Sequence, residues 1–187
     1  MIKEFLTSGV SKNQLIGVLS ETLVSSFISE FNNLPLGNHS KEAAYMKNGP
    51  LRHCRSFVLN DTKTFDAHPE RDYSKTPVLK EFLIGQVGDL DTIGRCYYTS
   101  LLPGYEIYPH ADNVAYFNHI KRLHIYLSSL DSSSKILVGS HLMTPKEGEL
   151  WCFEHKLRHS YSMSKTAHPL NFIVFDIYDS AIPKILD

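Results

Sequence analysis

The chain contains one short pattern of residue types that can bind a transition metal. His110 and Asp112 are separated by one residue, and His159 follows 49 residues after His110. Two imidazoles and one carboxylate can occupy one face of a metal ion and leave the opposite positions open, which is the ligand set of non-haem Fe(II) oxygenases. An H-x-D tripeptide also arises by chance in a chain with ten histidines, so the pattern needs support from the segments around it.

The segments around His110 predict an extended backbone. Cys96–Leu102 has the composition of a strand, Pro103-Gly104 that of a turn, and Glu106–Tyr108 that of the next strand. Side chains two residues apart on an extended backbone leave the same face, so His110 and Asp112 are expected to point the same way. A helix would need histidines at i and i+4, as in the zinc-protease pattern, which the sequence lacks.

The second half of the chain predicts a series of short strands. They are expected over Gly94–Leu101, Glu106–Pro109, Lys121–Leu127, Lys135–Val138, Glu149–Phe153, His159–Met163 and Asn171–Tyr178. Short strands with turn residues between them favour an antiparallel sandwich or barrel. One further strand is predicted earlier in the chain, over Arg55–Leu59.

The first part of the chain predicts helices. Apolar residues recur at steps of three and four from Lys12 to Asn32, which predicts one amphipathic helix with Ser11 as its N-cap. A shorter helix is predicted over Pro77–Gly85. The fold class predicted from these patterns is mainly β with N-terminal helices (α+β).

Length and composition predict one domain. The 187 residues can bury one sizeable core. Within it, residues 1–90 are expected to form a helical support and substrate-side region, and residues 91–180 the catalytic β core. The net charge of −1 gives no electrostatic sign of a nucleic-acid or membrane partner.

The cysteines and the N-terminus predict a cytoplasmic protein. Cys54, Cys96 and Cys152 lie far apart without C-x-x-C spacing, which favours reduced buried thiols over a disulfide or zinc framework. Met1 to Phe5 lack a long apolar core or cleavage pattern, so no signal peptide or membrane anchor is predicted.

Taken in order, the motifs of residues 90–180 resemble a known enzyme family. The series is Thr99 to Asp112, then Arg122-Leu123-His124, then Gly148 to Phe153, and finally His159. It resembles the aspartyl/asparaginyl β-hydroxylases, which are Fe(II)- and 2-oxoglutarate-dependent oxygenases, including their free-proline hydroxylase branch. The resemblance implies a double-stranded β-helix (jelly-roll or cupin-like) core, Fe(II) and 2-oxoglutarate as cofactors, and O₂ as a substrate.

The resemblance also implies roles for individual residues. It makes His110, Asp112 and His159 the metal ligands, and it favours His159 over His155, which lies four residues earlier. Some members of the family have glycine at the position of Asp112, whereas this chain keeps the carboxylate.

Co-substrate contacts follow from the same resemblance. Arg122 and His124 match an R-x-H motif that the family uses around 2-oxoglutarate, and Thr99 lies where the family has a co-substrate-binding serine. A guanidinium can bind a carboxylate through two parallel hydrogen bonds, and an imidazole can donate a third.

The chain departs from the family at the last core strand. Where members usually carry an arginine for the far carboxylate of 2-oxoglutarate, this sequence has Leu170. A buried carboxylate without a cationic partner is costly, so another group is expected to meet it. The candidates for this group are Arg122 alone, Arg95, which shares a strand face with Thr99, and Lys165 or His168 in the preceding loop. The alternative is that 2-oxoglutarate binds weakly or not at all.

The expected activity is hydroxylation of an amino acid, free or as an Asp/Asn/Pro-type residue in a peptide or protein. Arg52 and Arg55 belong to a small basic cluster that is a candidate for holding a substrate carboxylate, although solvated surface charges have the same pattern. Two alternatives remain at this stage: a cupin-type metalloenzyme that does not use 2-oxoglutarate, and a non-catalytic ligand-binding barrel. The sequence does not predict the oligomeric state.

Overall fold

The structure is a computed structural model that describes residues 1–8, 13–38, 54–60, 73–112, 115–182 and 185. Its helices are α1 (Ile2–Thr7), α2 (Glu21–Asn32) and α3 (Pro77–Val87). Its strands are β1 (Gln14–Val18), β2 (Gly37–Asn38), β3 (Cys54–Asn60), β4 (Ile93–Leu101), β5 (Glu106–His110), β6 (Ile120–Tyr126), β7 (Lys135–Val138), β8 (His141–Met143), β9 (Glu149–Phe153), β10 (His159–Ser162) and β11 (Leu170–Tyr178). Within these described residues, 3₁₀ helices lie at Leu90–Thr92, Ala115–His119 and Asp179–Ala181.

The strands form two antiparallel sheets. The larger has seven strands in the order β1-β9-β6-β11-β4-β3-β2, and the smaller has four in the order β5-β10-β7-β8. Many neighbouring strands come from distant parts of the chain, for example β1 with β9 and β5 with β10, whereas β7 and β8 are consecutive. Such crossing connections between two sheets are those of the double-stranded β-helix.

Two apolar clusters cover the two faces of the larger sheet. One lies between that sheet and the helices, and it combines residues such as Phe27 and Leu83 with Leu123 and Phe175. The other lies between the two sheets, where Ile107 and Ile136 of the smaller sheet belong to one cluster with Phe172, Phe153 and Tyr97. Successive residues of the central strands therefore alternate between the helices and the barrel interior.

The fold class predicted from the sequence, mainly β with N-terminal helices, is confirmed. The predicted strands of the second half are present with boundaries that shift by at most one residue, and β8 is an additional strand that was not predicted. The short helix at Pro77 is also present and ends at Val87. In the described part of the chain, no helix is long and apolar enough to cross a membrane.

The prediction of one helix from Lys12 to Asn32 is wrong in its first half. Gln14–Val18 is a strand, β1, at the edge of the larger sheet, and the helix begins only at Glu21, after Ser20. The Ser20 hydroxyl accepts a hydrogen bond from the backbone N–H of Leu23 and caps this helix. The apolar run in β1 fits a strand as well as a helix, and its pairing with β9 decides between them. The predicted cap, Ser11, lies outside the described residues.

Candidate metal centre

Two paired strands bring the two histidines of the pattern side by side. His110 is the last residue of β5, His159 is the first of β10, and the two are direct partners in the antiparallel register. Their ring centroids lie 4.2 Å apart. Gly104, in the turn between β4 and β5, has a φ of +76°, which a residue with a Cβ rarely adopts. The glycine thus sets the course of the chain into β5.

The hydrogen bonds of the two imidazoles leave one nitrogen of each free to bind a metal. The Nδ1–H of His110 donates to the carbonyl oxygen of Tyr108 at 2.7 Å, and that of His159 donates to Leu157 at 2.8 Å. A carbonyl only accepts, so each Nδ1 carries a proton, and in the neutral ring Nε2 is the nitrogen with the available lone pair. Backbone carbonyls commonly orient metal-binding histidines in this way.

Asp112 completes the cluster from the segment that follows β5. Its Oδ1 lies 3.8 Å from Nε2 of His110, and its backbone N–H donates to the carbonyl of His155 at 3.0 Å. One ligand atom from each of His110, Asp112 and His159 lies within 4.8 Å of the other two. The competing ligand candidate, His155, lies outside this cluster, because its ring bonds to the carbonyl oxygen of Phe117 at 2.8 Å.

Burial differs across the cluster and favours the metal-binding form of the inner histidine. The His159 side chain is buried, whereas the His110 side chain is 25% exposed and that of Asp112 is 13% exposed. The pKa of His159 is lowered to about 4, mainly by burial; the bond to Leu157 opposes this effect and the neighbouring His110 adds to it. The His159 imidazole is therefore neutral at pH 7, and the cluster opens to solvent on the side of His110.

Arg122 lies beside the cluster and is held by two carboxylates. Its Nε and one terminal nitrogen donate to the two oxygens of Asp176 at 2.8 and 2.9 Å. Its other terminal nitrogen donates to Oδ2 of Asp112 at 2.7 Å. Burial, the largest single effect, lowers the pKa of Arg122, but Asp176, Tyr97 and Asp112 together outweigh it, and the pKa lies well above its ordinary value.

His124, the next inward-facing residue of β6, lies in an aromatic stack. Its ring is nearly parallel to Phe153 at 4.5 Å and also stacks on Phe172 at 5.4 Å. Its Nδ1 is 3.5 Å from the hydroxyls of both Tyr126 and Tyr161. Burial lowers the pKa of His124 well below its ordinary value, and the charge of Arg122 adds to this effect. His124 is thus a neutral group among hydroxyls.

The other residues predicted to contact the co-substrate also lie on the inner face of β4. Thr99 is fully buried; its hydroxyl accepts from Ser56 at 2.9 Å and donates to the backbone carbonyl of Arg55 at 3.3 Å. The Arg95 guanidinium lies 4.9 Å from the ring centre of Tyr116 and 5.0 Å from that of Phe117. Cation–π contact is therefore part of what holds Arg95.

The remaining predicted positions lie away from the cluster. Leu170 is buried and pairs with Leu101. Arg55 is exposed and pairs with Ser100, at the end of β4 opposite to the metal cluster. Arg52 lies outside the described residues.

Sequence reasoning missed two residues beside the cluster, Asp176 and Tyr116. Asp176 is fully buried and accepts two bonds from Arg122 and one, at 2.9 Å, from the Tyr116 hydroxyl. One signal pointed to Asp176: it is the single charge within the apolar strand from Phe172 to Tyr178, and a buried carboxylate needs a cation. Tyr116 carried no comparable signal, because a tyrosine packed against a barrel has the same pattern.

Comparison with known proteins gives a family match over most of the chain. The model of the family described as aspartyl/asparaginyl β-hydroxylase matches residues 29–178. No curated protein matches by sequence.

Several solved structures have a similar fold. An oxidoreductase of the 2OG-Fe(II) oxygenase family from Burkholderia pseudomallei has a TM-score of 0.68 and 11% identity, covering 96% of this chain and 90% of its own. HygX from Streptomyces hygroscopicus, solved with nickel and 2-oxoglutarate, has a TM-score of 0.63 and 11% identity, covering 94% and 86%. A prolyl hydroxylase from Trichoplax adhaerens, in complex with a peptide fragment of the hypoxia inducible factor oxygen degradation domain, has a TM-score of 0.62 and 11% identity, covering 100% and 94%. At this identity the likeness establishes the fold.

Proposed function

The chain belongs to the aspartyl/asparaginyl β-hydroxylase family, and from this premise we propose that His110, Asp112 and His159 bind the Fe(II) of a 2-oxoglutarate-dependent hydroxylase. The observation that carries the proposal is the convergence of the three ligand atoms within 4.8 Å. Both histidines offer Nε2 because their Nδ1–H groups are engaged by backbone carbonyls. This donor set suits Fe(II), since it holds one face of the ion and leaves the other for co-substrate and O₂.

The barrel interior offers donors for the carboxylates of 2-oxoglutarate. Arg122 has five N–H donors, of which three are engaged by Asp112 and Asp176, so two are left for the carboxylate nearer the metal. The far carboxylate would meet neutral donors, namely His124, Thr99 and the hydroxyls of Tyr126 and Tyr161. With Leu170 in place of the family's arginine, we propose that these neutral groups, together with Arg95, replace the usual salt bridge.

Apolar residues of the chain keep water away from the metal cluster and leave one side open for the substrate. When bound, iron and 2-oxoglutarate supply the oxidising chemistry that hydroxylates a C–H bond. Phe153 stands edge-on to His159 at 4.9 Å and, with the stack around His124, fills the space beside the cluster with apolar rings. This packing limits the access of water from the barrel interior, whereas the partly exposed side of His110 leaves room for a substrate to approach.

We propose that the substrate is an amino acid, either free or as an Asp/Asn/Pro-type residue in a peptide or protein. The family description supports this class. Among the proteins of similar fold, one binds a peptide fragment and HygX binds hygromycin B, so the fold accommodates different substrates. Arg52 and Arg55 stay predicted substrate contacts from the sequence alone. Three buried free thiols, at Cys54, Cys96 and Cys152, support a cytoplasmic location.

The experiment is an anaerobic titration of metal-free protein with Fe(II) and then with 2-oxoglutarate, following the visible charge-transfer band of the chelate. The parent protein should give a saturable band. His110→Ala and Asp112→Ala should lose it and weaken Fe(II) binding by more than about 100-fold, beyond the loss typical of residues that only support a ligand. His141→Ala, which removes an exposed histidine of β8, is the matched control and should behave as the parent.

Each part of the proposal has its own contrary result. Metal binding without the band would contradict the co-substrate contacts and point to a cupin-type metalloenzyme. A band that survives in His110→Ala would contradict the ligand assignment. If the parent protein binds no Fe(II), the metal centre itself is wrong.

A further inference from the structure

We propose that Asp176 and Arg122 form a clamp that positions Asp112, so that Asp112 offers a single oxygen to the metal. The clamp consists of the Asp176 carboxylate and the Arg122 guanidinium. The inference rests on the proposed role of Asp112 as a metal ligand and adds two positioning residues, which act through Asp112 and do not touch the ion. It assigns three of the five N–H donors of Arg122 to the two aspartates and leaves two for the co-substrate.

The first part of the clamp is the bond pair between Arg122 and Asp176. The two residues are direct partners in the pairing of β6 with β11, so the backbone register itself brings them together. Two parallel hydrogen bonds of 2.8 and 2.9 Å join the guanidinium to both carboxylate oxygens. This bidentate geometry fixes the plane of the guanidinium as well as its position. Both groups are buried, so solvent screens the pair little.

The second part is the contact of Arg122 with Asp112. A nitrogen of the fixed guanidinium donates to Oδ2 of Asp112 at 2.7 Å, while Oδ1 lies toward His110. The backbone N–H of Asp112 is held by the carbonyl of His155. The carboxylate is thus fixed at its backbone and at one oxygen, and the other oxygen remains for the metal.

A tyrosine hydroxyl also holds Asp176, and a glycine leaves the space for it. The Tyr116 hydroxyl donates to Asp176 at 2.9 Å and accepts from the backbone N–H of Arg95 at 2.9 Å. A Cβ at Gly94 would lie 2.3 Å from this hydroxyl oxygen, so only glycine leaves room for it without a shift. The support of the clamp therefore extends into β4 and the 3₁₀ helix Ala115–His119.

The charges of Asp112, Arg122 and Asp176 predict that the clamp needs the negative charge of Asp176. Arg122 attracts Asp112 and so competes with a metal ion for the same carboxylate. Asp176 engages Arg122 with two bonds and offsets its charge, leaving one net negative charge on the three groups. Removing the charge of Asp176 should therefore weaken metal binding, even though all three ligands and Arg122 remain.

The test measures the affinity of metal-free protein for Co(II), a stand-in for Fe(II) that has a visible ligand-field spectrum. Asp176→Asn and Arg122→Lys should each weaken binding by about 10- to 100-fold, the range typical of groups that orient metal ligands. Tyr116→Phe removes one hydroxyl and should weaken it by about threefold. The Co(II) spectrum should change in Asp176→Asn, because the position of Asp112 changes. Glu81→Gln, at an exposed position of α3, is the control for loss of one negative charge.

A second measurement separates positioning from loss of structure. In the Asp112→Asn background, Asp176→Asn should cause little further loss of affinity, since a clamp acts only through Asp112. Thermal unfolding of each metal-free variant identifies those that fail to fold. If Asp176→Asn is among them, the Co(II) affinity of Tyr116→Phe, the mildest change, tests the clamp.

Two results would overturn the clamp. One is a Co(II) affinity within about twofold of the parent in folded Asp176→Asn and Tyr116→Phe. The other is an Arg122→Lys variant that binds Co(II) normally but loses 2-oxoglutarate, which would make Arg122 a co-substrate contact alone. Failure of the parent protein to bind metal would instead overturn the proposed function, so the two failures are distinguishable.

Discussion

The two faces of the seven-stranded sheet are made from alternate residues of the same strands, yet they differ in chemistry. The face toward the helices carries apolar side chains in its central strands, among them Leu123, Ile125, Ile173 and Phe175. The face toward the smaller sheet carries Arg122, His124 and Asp176 in those same strands, all of them buried. One face resembles an ordinary core, and the other combines buried charge with aromatic packing.

This difference shows how one sheet can carry stability and chemistry at alternate positions. Apolar burial is non-directional, so the helix side needs only volume and fit. A buried charge is costly unless it is paired, so Arg122 on the inner side is matched by Asp176 and Asp112. Changes on the two faces should therefore differ in what they damage.

Truncating one phenylalanine on each face of β11 compares the two faces most directly. Phe175 faces the helices and Phe172 faces the barrel interior, and both are buried. Phe175→Ala and Phe172→Ala should each lower the free energy of unfolding by about 3–5 kcal/mol. Only Phe172→Ala should also weaken 2-oxoglutarate binding, because Phe172 stacks on His124. Denaturant unfolding and the charge-transfer titration measure the two effects; equal 2-oxoglutarate affinity in both variants would remove the distinction between the faces.

Much of the inner face could be predicted because strands have a period of two. Strand-like runs between turn residues predicted β4 to β7 and β9 to β11 but not β8, and the H-x-D spacing predicted that His110 and Asp112 share a side. That the two residues converge with His159 follows from the pairing of β5 with β10. The sequence shows this pairing only through a family resemblance, because the two histidines lie 49 residues apart.

What could not be predicted depends on contacts between distant segments. The helix predicted from Lys12 is interrupted because Gln14–Val18 pairs with β9, more than 130 residues away. The clamp could not be predicted for the same reason. Asp176 lies opposite Arg122 because of the register between β6 and β11, and the sequence around either residue does not indicate the other.

Acidification should destabilise the inner face specifically. The pKa of His159 in the folded protein is about 4, against an ordinary value of 6.5, so between these pH values the unfolded chain binds a proton that the folded one does not. The free energy of unfolding of metal-free protein should thus fall as pH drops from 6.5 to 4, by about 3 kcal/mol from this residue. His124 acts in the same direction.

The pH effect is measured by denaturant unfolding at a series of pH values. His159→Gln should flatten the slope in this window, while His141→Gln, an exposed control on β8, should keep it. An unchanged slope in His159→Gln would mean that acid acts elsewhere in the molecule.

The helix side also contains a buried carboxylate, that of Glu30 in α2. Its carboxylate accepts from the backbone N–H groups of Val78 at 2.8 Å and Leu79 at 3.3 Å, and from the Tyr98 hydroxyl. It thereby caps α3, whose own N-cap residue, Thr76, makes no capping bond. Burial raises the pKa of Tyr98, and the bond to Glu30 raises it further.

Replacing this carboxylate tests whether a polar group on the helix side matters for stability alone. Glu30→Gln should lower the free energy of unfolding by about 1–3 kcal/mol, because bonds to a charged acceptor are lost. Fe(II) and 2-oxoglutarate affinities should stay at the parent values, as titration of both ligands would show. Tyr98→Phe is the partner change, and its cost should be partly shared with that of Glu30→Gln in the double variant. Weakened Fe(II) binding in Glu30→Gln would mean that the two faces are coupled through the sheet.

The smallest effect on stability is expected for two neighbouring hydroxyl residues of β4, which lie on opposite faces of the sheet. Thr99 points into the barrel and Ser100 toward the helices, and both are buried. Thr99→Val leaves the Ser56 hydroxyl and the carbonyl of Arg55 without this partner, which should cost about 1 kcal/mol in the free energy of unfolding. Ser100→Ala should cost no more than this. If Thr99 turns its hydroxyl proton from the carbonyl of Arg55 to the far carboxylate of 2-oxoglutarate, Thr99→Val should raise the Kd for 2-oxoglutarate by up to about tenfold, whereas Ser100→Ala leaves it unchanged. Equal Kd values in the two variants, at equal stability, would limit Thr99 to its structural bonds and leave the co-substrate to His124 and the tyrosines.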